Sequence, residues 1–218
     1  MGAYTGLQNF FKKSLVEVAR NLDYEQDNLL ILEGDLHSLE KLFPTTLKNI
    51  QSCYHHRDNR PPLQYAQDIV ASWLVEDSFL QVLNSNGLNA KLNGADKNRK
   101  ILANVRTSTS SDFIVSYNGN SRKLELMNSY TDYWVRNGVL DLRDSKYKSL
   151  TKEQSLLLAV STTTKKFALF DFVKPIPARF IQSHDHYGGK PVYQIKITNE
   201  MMNDTTSHNI TEAIKLHL

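Results

Sequence analysis

Residues Ser111–Tyr130 read SDFIVSYNGNSRKLELMNSY. Two apolar-rich runs, 112–117 and 122–128, flank an Asn-Gly-Asn turn, which predicts a β-hairpin. Its acids are oddly placed. Asp112 heads the first run, and Glu125 sits between two leucines of the second. Side chains alternate along a strand, so Lys123, Glu125 and Met127 share one face. A turn around Gly119 brings the head of one strand opposite the far part of the other, and so brings Asp112 towards Glu125. Two carboxylates at that spacing suit a divalent cation. Hard oxygen donors with few protein contacts favour Mg²⁺, which keeps waters and completes its shell from a substrate phosphate. The structural alternative is that Asp112 caps a turn and Glu125 faces solvent.

N-terminal to the hairpin, helical spacing is the dominant signal. Phe10, Phe11, Leu15, Val18 and Leu22 predict a helix over 7–22, and a second apolar series over 36–50 predicts another, kinked or split at Pro44. CYHHRDNRPP, from Cys53, reads as a linker. The longest helix is expected over Leu63–Leu83, closed by Gly87. Glu76 and Asp77 stand at the edge of its apolar stripe, either reaching for water or offering a third acid to the hairpin. A short strand in SNGLNAKL and an apolar piece, Ile101–Val105, precede the hairpin.

C-terminal to the hairpin, SYTDYWVRNGVLDLRDSKYKS (129–149) reads as a long irregular connection. Thr151 and Gln154 make a capping-box pair, predicting a helix through Leu156, Leu157 and Val160 towards Thr164. KFALFDFVKP and KPVYQIKITN read as strands, and the tail after Met202 as weakly helical. The expectation is an α/β fold with a mixed central sheet and a helix on each face, preceded by a helical region over 1–60, with the α/β core over 61–218.

Composition sets the outer bounds. The 218 residues are 40% hydrophobic and 22% charged, as in ordinary globular proteins. No apolar run approaches the roughly 18 residues of a membrane span, and the N-terminus lacks signal-peptide order, so a cytoplasmic setting is expected. Cys53 is the single cysteine, which excludes an internal disulfide framework and a cysteine zinc cage. The net charge of +3 permits a polyanionic partner without demanding one. No phosphate-binding glycine loop is present. HDHYGG (184–189) and CYHHRD (53–58) carry histidines but no third ligand at metal spacing, and read as surface loops.

The ordered set of long helix, short strand, SDF strand, LEL strand, aromatic loop, helix and FALFDF strand resembles the PD-(D/E)XK nuclease superfamily. That is the fold of most type II restriction endonucleases, and the resemblance covers roughly residues 61–200. In that family an acid opens the second core strand, which Asp112 matches. An acid, any residue and a lysine lie on the third, where Glu125 matches the acid. Ser111 stands in place of the motif's proline and Met127 in place of its lysine.

The resemblance implies a Mg²⁺-dependent, sequence-specific endonuclease of double-stranded DNA, with Asp112 and Glu125 on the metal and Glu76 as a third acid. Lys123 is the lysine nearest on the strand, and Lys146 or Lys148 is the alternative source of the missing charge. With no lysine, either metal alone activates water or the chain is a decayed DNA-binding module. A structure-specific or repair nuclease of the same fold is the other alternative. Arg136, Arg143, Lys146 and Lys148 are the expected phosphate contacts. A homodimer matched to a palindromic site is the expected assembly.

Overall fold

A computed structural model describes residues 3–54, 60–101, 103 and 110–218. The contacts divide the chain into two compact units, Met1–Ser78 with Ala95–Ser108, and Phe79–Gly94 with Thr109–Leu218.

The first unit is helical. It holds α1 (Ala3–Phe11), α2 (Leu15–Asn21), α3 (Gln26–Glu33), α4 (Leu36–Leu42), α5 (Pro44–Tyr54) and most of α6 (Pro62–Ser85). The single helix expected over 7–22 is two. Lys12 adopts a left-handed φ of 52°, and a right-handed helix cannot run through such a residue. After the break α2 buries Leu15, Val16 and Ala19, a face that shares only Leu15 with the expected series. Pro44 splits the second segment by opening α5, where a missing N–H costs nothing. Asp35 caps α4 by accepting from the Ser38 N–H at 2.7 Å. The series α3 was not anticipated, and part of the Ile101–Val105 piece lies outside the described residues.

The second unit begins with the last turns of α6 and carries two sheets. The larger has the order β1 (Asn89–Leu92), β2 (Phe113–Tyr117), β3 (Asn120–Ser129), β5 (Leu156–Ser161), β6 (Lys166–Asp171), β9 (Asn203–Asp204). All neighbours are antiparallel except β3 and β5, which run parallel. It is therefore a mixed sheet in an α/β unit. The β2–β3 hairpin turns on Asn118 (φ 49°) and Gly119 (φ 85°), two left-handed residues whose twist suits a two-residue hairpin turn.

A parallel pair needs a crossover. Here it is the segment expected to be irregular, and it is not: it holds α7 (Tyr133–Asn137), β4 (Val139–Arg143) and α8 (Asp144–Glu153). Strand β4 leaves the main sheet and pairs with β8 (Lys190–Lys196), which pairs in turn with β7 (Ala178–His184), giving the smaller antiparallel sheet β4-β8-β7. A further correction concerns 154–164. The helix expected there is strand β5, and Gln154 ends α8 in a left-handed conformation (φ 51°). Every residue of β5 is buried, as happens to a central strand covered on both faces. The final helix, α9 (Ser207–Lys215), is capped by the Thr206 hydroxyl.

One core of this unit forms between the sheets and α8. It includes Leu140 and Leu142 from β4, Leu150 from α8, Leu157 and Ala159 from β5, Phe170, and Ile195 from β8. Among the described residues no helix is long and apolar enough to cross a membrane.

Candidate active site

The hairpin register decides which acids meet. Phe113 pairs with Leu124, so Asp112 and Glu125 occupy the next step of the same ladder. The Asp112 side chain accepts a hydrogen bond from the Leu126 N–H at 2.8 Å, and its carbonyl accepts from the Asn93 N–H at 2.8 Å. The residue is thus held on both sides at the mouth of the hairpin.

Glu125 lies beside Leu157, and Met127 beside Ala159, on the face of the sheet that meets the core just described. Glu125 is 7% exposed. One oxygen, Oε1, accepts from Lys146 Nζ at 2.5 Å, and the other, Oε2, is buried with no hydrogen-bond partner. A buried carboxylate without water resists ionisation, and a second negative charge adds to that resistance. Burial first, then the charge of Asp112, push the Glu125 carboxyl up to about 7, against the opposing pull of Lys146.

Helix α8 explains why the lysine comes from outside the strand. Lys146, Leu150 and Glu153 follow at steps of four and three and form one stripe. Leu150 enters the core, so the residues above and below it face the sheet as well. Met127 packs against the same core, in apolar surroundings that would strip water from an ammonium. Lys123, the nearest lysine on β3, is instead 3.0 Å from Glu153, whose second oxygen is also buried without a hydrogen-bond partner.

The remaining expected site residues have other settings. Glu76 belongs to the first unit, where it accepts from Arg99 at 2.6 Å, and Asp77 binds the same guanidinium. Lys148 is 2.9 Å from Asp144 within α8 and points away from the Lys146 stripe. Arg136 is largely exposed and 3.7 Å from Asp132. Arg143 lies over the Tyr187 ring, 5.5 Å from its centroid. Of the loop histidines, His184 meets Asp141, His186 is exposed, and His55 and His56 lie outside the described residues. Tyr133 and Trp134 of the aromatic loop begin α7, and Trp134 is in the core.

Two acids escaped the sequence reading. Glu153 borders Glu125 and raises its carboxyl further. Asp141 is buried in β4. Its signal was present, since Leu-Asp-Leu repeats the Leu-Glu-Leu pattern of the hairpin, but the surrounding segment had been read as a loop.

Among the described residues no group of three or more His, Cys, Asp or Glu side chains is placed to hold a metal ion. The donor set at the hairpin mouth is two carboxylates, which fits a cation that retains most of its water. A divalent ion there would answer both anomalies of Glu125, its unpartnered oxygen and its repulsion by Asp112.

No family model matches the sequence, and no curated protein matches it. Among solved structures the chain is similar to Hjc, a Holliday junction resolvase from Archaeoglobus fulgidus, at 12% identity and a TM-score of 0.39, over 66% of this chain and 98% of that one. A likeness of that strength assigns neither fold nor activity.

Proposed function

We propose that the chain is a divalent-metal-dependent DNA endonuclease of the restriction-endonuclease-like fold, with Asp112, Glu125 and Lys146 as its working groups. The observation that carries the reading is Glu125: a buried carboxylate with one oxygen on a lysine, the other without a partner, and a second carboxylate beside it. Most buried polar atoms have a hydrogen-bond partner, so an unpartnered carboxylate oxygen calls for an explanation. The order α6, β1, β2, β3, crossover helix, parallel β5 supports the resemblance, with β5 rather than the FALFDF strand as the parallel partner of β3.

Asp112 and Glu125 would hold Mg²⁺, which, bound there, would offset phosphate charge and make a coordinated water more acidic. The chain's own groups do the rest. The hairpin fixes the spacing of the carboxylates through the Leu126 N–H. Lys146 takes the part that Met127 cannot, holding a positive charge against the reacting phosphate and a proton for transfer at its Nζ. Duplex DNA cut at a particular sequence is the substrate in this reading, with Arg136 and Arg143 on phosphates and a homodimer as the assembly.

The test is cleavage of long mixed-sequence duplex, flap and four-way-junction DNA by wild type and by Glu125→Ala, in Mg²⁺ and in EDTA. Discrete duplex fragments from wild type in Mg²⁺ alone are expected. Cutting confined to flaps or junctions would replace sequence specificity by structure specificity. Cleavage that survives the substitution would remove Glu125 from the site.

A further inference from the structure

The small sheet β4-β8-β7 has two unlike faces. One carries Leu140, Leu142 and Ile195 and closes the core. The registers decide what the other carries. Gln194 of β8 pairs with Asp141 on one side and with Arg179 on the other, and Arg143 pairs with Val192. Side chains alternate along β8, so Lys190 and Lys196 share the face of Val192 and Gln194. Four cations from three strands, Arg143, Arg179, Lys190 and Lys196, therefore lie on one face, and all four are exposed.

The same face has a single strand acid, and it is answered internally. Asp141 is buried, with Gln194 donating to one oxygen at 3.0 Å and His184 3.3 Å from the other. Arg143 lies over the Tyr187 ring, and among the described residues Arg179, Lys190 and Lys196 have no ion pair. Strand spacings separate the Cα atoms of Arg143 and Arg179 by about 12 Å and those of Lys190 and Lys196 by about 20 Å. One phosphate group cannot meet all four, whereas duplex DNA offers a charge for about every 1.7 Å of its axis. The apolar members of the face are covered: Val192 is buried, and Val139 and Ile181 are half-buried. That leaves no apolar side chain to insert into a bilayer, which disfavours an anionic membrane as the partner. The face also leads to the candidate site, since Arg143 ends β4 and the next residue opens α8, the helix that carries Lys146.

We infer that the outer face of the small sheet, through Arg143, Arg179, Lys190 and Lys196, is a seat for the phosphate backbone of duplex DNA bound at the Asp112–Glu125 site. The inference deepens the nuclease reading and rests on it for the identity of the polyanion. Its contacts position the duplex and carry no sequence information.

The test measures binding in EDTA, so that cleavage does not enter. Full-length wild type and the double variant Arg179→Gln/Lys196→Gln are titrated against two labelled duplexes of unrelated sequence as salt is varied. Each phosphate contact contributes about 0.9 to the slope of log affinity against log salt. The double variant should therefore show a slope shallower by about 2 and, at about 0.15 M salt, bind about 30-fold more weakly, equally on both duplexes. Lys13→Gln/Lys41→Gln, the same charge change in the helical unit, should bind like wild type. An unchanged slope for Arg179→Gln/Lys196→Gln overturns the inference. So does an equal loss in the helical-unit variant, because net charge rather than this face would then attract DNA. Wild type that binds vesicles containing phosphatidylserine and no duplex also overturns it, in favour of a membrane. A protein whose slope falls as expected but that never cuts in Mg²⁺ sinks the nuclease reading and keeps the DNA face; one that cuts while the double variant binds like wild type does the reverse.

Discussion

Leu124-Glu125-Leu126 in β3 and Leu140-Asp141-Leu142 in β4 are the same pattern, an acid between two buried leucines, with opposite outcomes. Asp141 is fully enclosed by donors. Gln194 Nε2 donates to one oxygen at 3.0 Å, His184 Nε2 lies 3.3 Å from the other, and the Tyr133 hydroxyl hydrogen-bonds it. Glu125 has one lysine, one oxygen with no hydrogen-bond partner and a neighbouring acid. Burial alone therefore does not mark a working acid. What sets Glu125 apart from Asp141 is burial left incompletely answered, and an unanswered buried carboxylate oxygen costs stability.

The sharpest contrast is in activity. Glu125→Gln should reduce Mg²⁺-dependent cleavage about 10³-fold or more, the scale of losing a group that stabilises transition-state charge. Asp141→Asn should leave the rate within a few-fold of wild type, and single-turnover kinetics on the same DNA checks both. Second in size is Lys146→Met, expected to lower the rate about 10²-fold, with Lys148→Met as a control near wild type. If the two lysines prove equivalent, Lys146 has no special role.

The third expectation concerns pH. The Glu125 carboxyl is raised from 4.5 to about 7 in the folded chain. The stability it contributes is thus complete below the unfolded value and is lost as pH rises through about 7. Measured without metal, wild type should lose up to about 3 kcal/mol relative to Glu125→Gln between pH 4.5 and 8. Adding Mg²⁺ at pH 8 should raise the wild-type melting temperature and leave that of Glu125→Gln unmoved. A pH-independent difference between the two would mean that Glu125 is solvated. The smallest effect is thermodynamic and belongs to the other acid: Asp141→Asn should cost about 1–3 kcal/mol in denaturant unfolding, since an amide leaves one of the donors unmatched.

The hairpin and its acids were legible because three local signals agreed there: alternation, an Asn-Gly turn and an acid inside an apolar run. The long helix α6 was legible from its length. Strand β5 was not, because LLLAVS has no period, and a run buried on both faces looks the same in a strand and a helix. The Thr151–Gln154 pair then tipped the reading the wrong way. The crossover hid its elements by their shortness, and β4 gains its stability from β8, some fifty residues later in the chain. Lys146 was one of three candidates in sequence. Choosing it required the face of α8, which Leu150 sets by entering a core assembled from distant strands.

The parallel pairing of β3 with β5 also orders the assembly of the site in time. The hairpin closes on its own turn, so Asp112 and Glu125 can meet after a short loop closure. Lys146 reaches Glu125 only once the whole crossover has folded and Leu156 has docked beside Leu124, a far less local event. The local closure is expected first, with the two acids brought together before their lysine arrives. The hairpin amides should acquire protection from hydrogen exchange before those of α8, and the site should become competent in the last step of folding rather than the first.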